Sequence, residues 1–166
     1  MTPMLETAVR HETTRRLRNI LWYWVPAVAW MGMVLLASTD PFSANHTGEV
    51  LRAVLAWTLG QIDAVTFNQI HFLVRKSAHF TEYAILSALW FRAIRVHLNR
   101  LWQMRWALLG LVVSLSVAVL DEWHQSFVPS RTSSAHDVLL DFCGACFAQL
   151  VIWYVLRRRQ LAAVET

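Results

Sequence analysis

Four stretches of this 166-residue chain approach the length needed to cross a lipid bilayer, and they leave little else to fold. At 1.5 Å rise per residue a helix needs roughly 20 apolar residues to span the hydrocarbon core. Residues 20–38, 77–94, 106–123 and 138–156 approach that requirement, the last interrupted only by Asp141. In lipid every backbone N–H and C=O must find its partner within the protein, so such stretches are helices. Pro26, inside the first, is tolerated there more readily than in a soluble helix. Composition agrees: 56% of residues are hydrophobic and 16% charged, against about 25% charged in a soluble domain. No polar segment is long enough to hold a separate soluble module. The expected fold is an all-α membrane protein, a four-transmembrane-helix bundle. Its first apolar run begins late, near Ile20, with no small-x-small site after it, which argues against a cleaved signal peptide.

Arginine sets the orientation. Eleven of the fifteen basic residues fall in the N-terminal tail (Arg10, Arg15, Arg16, Arg18), the loop between the second and third spans (Arg92, Arg95, Arg100, Arg105) and the C-terminal end (Arg157, Arg158, Arg159). With four spans these segments share one side, and the positive-inside rule makes both termini cytoplasmic. The organisation expected is a basic tail over 1–19, a four-span membrane domain over 20–156 and a second basic tail over 157–166, in the bacterial inner membrane. The net charge of +4 is then a topological signal: the expected partner is the lipid bilayer, no nucleic acid is expected, and the sequence names no protein partner. Residues 40–71 form a long outer connection. Within it Val50, Leu51, Val54, Leu55, Trp57 and Leu59 recur at near-helical spacing, which predicts a short amphipathic helix on the outer surface. Trp22, Trp24, Trp102, Trp106, Trp123 and Trp153 lie near span ends, where such rings prefer to sit.

The ionisable residues inside the spans are not scattered. Lys76, His79, Glu82 and Tyr83 open the second span; Asp121, Glu122, His124 and Gln125 close the third; His136, Asp137 and Asp141 open the fourth; Arg131 sits in the loop before it. All four sets fall at the outer end. At about 100° per residue, Lys76, His79, Glu82 and Tyr83 span an arc of roughly 120°. Asp137, Asp141, Gly144 and Ala148 share another face, with small residues deeper, where helices can approach closely. Ionisable groups at membrane depth are costly and normally face the bundle interior, paired with one another. An outward-facing polar pocket is the expected result.

Each group carries a functional and a plainer structural reading. Asp121 and Glu122 could act as a general base with His79 or His124 assisting, or lock the helices by pairing with Lys76 and Arg131. Arg131, aided by Lys76, could hold a phosphate or carboxylate headgroup through its planar fork, or pair with lipid phosphates. His79, His124 and His136 have the ligand chemistry for zinc or manganese, yet HFTE is not HExxH and the spacing matches no metal motif. A neutral histidine bonded to Glu82 or Asp121 is expected instead, with no metal and no cofactor. Cys143 and Cys146, as CGAC within an apolar span, read as buried small residues and not as a redox pair. SRTSSAHDVLLD misses the lipid-phosphatase arginine-histidine-aspartate spacing by one at both gaps.

KSAHFTEY, then DEWHQSFVPSR, then D-x-x-x-D-x-x-G, in that order, resemble the VanZ-like family of small bacterial membrane proteins over roughly residues 20–156. The matching positions are Lys76, His79, Phe80, Glu82 and Tyr83; then Asp121, Glu122, Gln125, Phe127, Pro129 and Arg131; then Asp137 and Gly144. This chain departs from the usual pattern at Ser130, where glycine is common, and at Asp141, where asparagine is common. The resemblance implies cell-envelope biology and an association with resistance to the glycopeptide teicoplanin; it implies no reaction. The expected function is binding or modulation of an amphiphilic envelope component, a lipid-linked or glycopeptide-like molecule, by Lys76, Glu82, Tyr83, Gln125, Arg131 and Asp137. The alternative is a membrane-embedded hydrolase or transferase using Glu122, Asp121 and His79.

Overall fold

A computed structural model describes residues 3–37, 39, 44–95, 102–127 and 134–162. Within them the chain forms five helices and no strand: α1 (Pro3–Ala37), α2 (Ala44–Leu59), α3 (Ala64–Arg95), α4 (Met104–Gln125) and α5 (Ala135–Ala162). Three of them, α1 from Glu12 onward, α4 and α5, are long and apolar enough to cross a membrane. The α2–α3 pair qualifies as a fourth, bent by 117° at its break. Large apolar side chains such as Leu21, Leu36, Val112, Val119 and Leu150 point outward, as lipid-facing surfaces require. The chain is an all-helical, multi-pass membrane protein.

α1 and α5 carry the basic residues at the chain ends as helix, and Pro26 lies inside an uninterrupted α1. α3 begins about four turns before the second apolar stretch, so residues 64–71, read from the sequence as connection, are helix. Local chemistry explains this start. Gly60 follows α2 with φ of 79°, a left-handed conformation that ends a helix and that glycine adopts without strain. Asp63 then caps α3: its Oδ1 accepts the Val65 and Thr66 N–H groups at 2.9 and 3.0 Å, and its Oδ2 accepts the Thr66 hydroxyl at 2.7 Å. Asn68, Gln69, His71 and Arg75 lower the hydropathy of this stretch without breaking the helix. The amphipathic α2 lies against this extension, with Gly48 beside the His71 ring and Arg52 4.2 Å over Phe67.

Cross-helix contacts fix the arrangement. The Arg92 guanidinium donates to the Trp22 carbonyl at 3.4 Å, Trp24 meets Trp90 edge-on at 5.7 Å, and the Trp30 indole donates to the Glu82 carbonyl at 3.0 Å. The partners run in opposite sequence sense, so α1 is antiparallel to α3. α3 and α5 run parallel and form the most extensive helix contact: Lys76 meets Asp137, Phe80 meets Gly144, and Ser87 meets Gln149. α4 is antiparallel to both, with Gly110 beside Ser87 and Gln149. The starts of α1 and α4 and the ends of α3 and α5 therefore share one end of the bundle. Arg92, Arg105, Arg157 and Arg158 stand there over Tyr23, Trp106, Trp153 and Tyr154 at 4.4–5.2 Å, an arginine–aromatic belt suited to a membrane interface. The interior is built on Val34, Tyr83, Leu86, Val117 and Ala118.

Gly144 sets the distance between α3 and α5, because a Cβ there would overlap the Phe80 carbonyl, a backbone atom that cannot turn aside. Gly144→Val should separate the two helices and cost about 1–3 kcal/mol or more. Gly32→Ala, where a Cβ meets nothing within 4 Å, should be neutral or stabilising by up to about 1 kcal/mol. Thermal unfolding of both variants in detergent checks the contrast.

Candidate functional site

The α4–α5 end of the bundle holds the polar groups, in two levels. At the rim, Lys76 of α3 forms an ion pair with Asp137 in the first turn of α5. The Lys76 side chain is 30% exposed and that of Asp137 11%. A carboxylate in the first helical turn is also favoured by the helix dipole, so Asp137 is held from two directions. Beside it the Glu122 Oε2 accepts the Ser134 N–H at 2.7 Å, reaching from the last turn of α4 to the N-terminus of α5. The Ser134 hydroxyl accepts the His136 N–H at 3.2 Å, and its carbonyl accepts the Asp137 N–H at 2.9 Å. The α4–α5 hairpin is thus closed by one carboxylate and one serine.

The second level lies about 6 Å below the end of α4 and about 9 Å below the start of α5, counted at 1.5 Å per residue. Here Asp121 and Asp141 are 2% and 0% exposed, and Tyr83 is 0% exposed. His79 Nδ1 faces Asp141 Oδ1 at 3.4 Å. Asp121 Oδ2 accepts the Gln125 amide at 3.0 Å. One donor atom from each of His79, Asp121 and Asp141 lies within 4.8 Å of the others. Six polar atoms of this level and its rim make no hydrogen bond among the described residues: His79 Nδ1, Tyr83 Oη, Asp121 Oδ1, Glu122 Oε1 and both oxygens of Asp141. Deeper still, Gln149 donates to the Ser87 hydroxyl at 2.8 Å and carbonyl at 3.1 Å, and the Ser114 hydroxyl donates to the Gly110 carbonyl at 2.9 Å.

The structure brings Lys76, His79, Tyr83, Asp121, Glu122, Gln125 and Asp137 together, with Asp141 at their centre. It differs from the sequence reading in four respects. Lys76 pairs with Asp137, not with Asp121 or Glu122, because α3 runs parallel to α5 and meets its first turn. His79 faces Asp141 more closely than Glu82 or Asp121. His124 and His136 are exposed and stand outside the cluster. Most of the site residues are packed into the bundle, with Lys76 the most open of the rim pair. Glu82 is half-buried, and its backbone carbonyl accepts the Trp30 indole N–H. Arg131 lies outside the described residues. Sequence reasoning missed Ser134 and the Ser87–Gln149 layer. Gln149 continues the stripe of Asp137, Asp141 and Ala148 down α5, and a lone amide within an apolar span is a signal that could have found it.

A family model described as VanZ/LLP1 matches residues 23–157, which hold every residue of this cluster. No curated protein and no solved structure matches the sequence.

The Lys76–Asp137 pair should behave as a coupled unit. Lys76→Met and Asp137→Asn should each destabilise the bundle by leaving the other partner uncompensated, and the double variant should lose less than the sum. A double-mutant cycle on unfolding in detergent should return a coupling of about 1–3 kcal/mol.

Proposed function

The chain belongs to the VanZ/LLP1 family, and on that premise we propose that the α4–α5 end of its bundle binds or modulates an amphiphilic cell-envelope component. The protein would sit in the bacterial inner membrane with both basic tails, 1–19 and 157–166, cytoplasmic, and with this polar end facing outward. The observation that carries the reading is the convergence of buried ionisable residues from α3, α4 and α5 at one end, beneath a rim where Lys76 keeps partial access. Lys76, together with Arg131 between α4 and α5 in the sequence, would meet an anionic headgroup. Glu82, Tyr83, Gln125 and Asp137 complete the polar set, while the outward apolar faces of the helices receive the acyl part. A lipid-linked precursor or a glycopeptide fits these demands, and glycopeptide resistance is the proposed physiological outcome.

A hydrolase or transferase with Asp121 or Glu122 as general base has less support. Glu122 Oε2 is engaged in capping α5, and Asp121 Oδ2 is held by Gln125. A general base needs a free oxygen within hydrogen-bond reach of the proton it removes, and the remaining oxygens of both residues are buried.

The test is teicoplanin susceptibility of a sensitive Gram-positive host expressing wild type, Glu122→Gln or Arg131→Ala at matched membrane abundance. Wild type should raise the inhibitory concentration several-fold, and both variants should return it to the empty-vector level. Absence of any rise with wild type removes the glycopeptide role. Loss of the variants from the membrane assigns these residues to helix locking alone.

A further inference from the structure

Asp121 and Asp141 put two carboxyl groups into the bundle interior, and their hydrogen bonds do not account for them. Asp141 is fully buried, and neither of its oxygens accepts a hydrogen bond among the described residues. Asp121 has one oxygen occupied by Gln125 and the other without a donor. The Tyr83 hydroxyl, on α3, is also fully buried and makes no hydrogen bond among the described residues. Buried polar atoms without partners are rare and call for a missing one. Two carboxylates at membrane depth are costly unless a positive charge meets them. Lys76, the only lysine, does not serve them, because it is engaged by Asp137 one level above, and His79, which faces Asp141 Oδ1 at 3.4 Å, can meet no more than one of the two charges.

We propose that His79, Asp121 and Asp141 bind a divalent transition-metal ion within the bundle. The geometry suits this. Ligand atoms held about 2.0–2.2 Å from one ion stand about 3–4.5 Å from each other. His79 Nδ1 and Asp141 Oδ1 are already 3.4 Å apart, and the set closes within 4.8 Å. One imidazole and two carboxylates form the mixed nitrogen–oxygen set that favours zinc or manganese over calcium. Two carboxylates balance the ion's charge, so the interior becomes neutral on binding. Three protein ligands leave a further position for water or the Tyr83 hydroxyl, the arrangement of an open rather than a closed metal site. The ligands come from α3, α4 and α5, so the ion would tie together the three helices that form the polar end. His124 and His136 are exposed and take no part.

The experiment uses the full-length protein in detergent. It is treated with EDTA, reloaded with Zn²⁺ or Mn²⁺, desalted, and measured for metal per chain and for thermal unfolding. Wild type should retain about one ion per chain and unfold at a higher temperature when loaded. Asp141→Asn and Asp121→Asn should lose the ion and the metal-dependent shift, whereas His124→Ala and His136→Ala should keep both. Asparagine preserves shape and removes a buried charge, so metal-free Asp141→Asn should be at least as stable as metal-free wild type. A purely structural role for the carboxylate gives the opposite sign. Cobalt(II) supplies an independent readout, since its visible absorption reports bound nitrogen and oxygen ligands in wild type and should vanish in the aspartate variants. Wild type that retains no metal, or metal retained equally by the aspartate variants, overturns the proposal. The first result leaves a carboxyl pair neutralised by protons, and the second an ion held elsewhere on the surface.

Discussion

Keeping ionisable side chains inside a helical bundle surrounded by lipid is the constraint from which the rest of this architecture follows. Each such group needs a partner, because the hydrocarbon offers none. Lys76 therefore meets Asp137, Glu122 meets the Ser134 N–H, Gln125 meets Asp121, and His79 faces Asp141. Three of these four contacts tie one helix to the start or side of another, and Gln125 and Asp121 share α4. The polar groups consequently act on the bundle as register marks: sliding α5 by one turn along α3 would part Lys76 from Asp137 and Ser87 from Gln149 together. Apolar packing alone supplies no comparable penalty in a membrane, where lipid tails are as apolar as leucine.

Close approach makes these pairings possible. α3 and α5 run side by side in the same direction and need a long connection to do so, which the antiparallel α4 provides. Their separation is fixed where Gly144 lies against the Phe80 backbone. Asp137 and Asp141 above the glycine, and Ala148 and Gln149 below it, are likewise buried on α5. A larger residue at 144 would hold the helices apart at the middle, and the ion pair above and the amide contact below would lengthen together. Small residues and charged residues on α5 are thus parts of one interface, the first setting distance and the second setting register.

Much of this was legible in the sequence, for identifiable reasons. The apolar runs announced helices because lipid permits little else, and the faces of α3 and α5 followed from 3.6 residues per turn. Buried Tyr83, Asp121, Gln125 and Asp141 lie on the sides that the periodicity indicated. Pairing was not legible. Which carboxylate Lys76 meets depends on the parallel sense and vertical offset of α3 and α5, which no local pattern encodes. The early start of α3 was hidden because Asn68, Gln69 and His71 read as loop by hydropathy, while the decisive signals, Gly60 and the Asp63 cap, act through backbone geometry. The cluster of His79, Asp121 and Asp141 was hidden because its members come from three helices, and a spacing motif registers only ligands that share one.

Asp141 joins these strands. Its position departs from the asparagine common in the resembled family, and it stands at the centre of the buried level, fully enclosed and facing His79. An asparagine there would bring a donor as well as an acceptor and no charge, so it could satisfy a neighbouring carboxylate directly. An aspartate brings only acceptors when ionised, beside Asp121, which already has an oxygen to spare. With aspartate at 141 the buried level needs a positive partner, either a proton or an ion. Lys76 stays at the rim, because retreating inward to serve Asp141 would abandon Asp137 in the first turn of α5. The demand for positive charge is therefore local to the level of His79, Asp121 and Asp141, while Lys76 remains partly exposed and paired with Asp137.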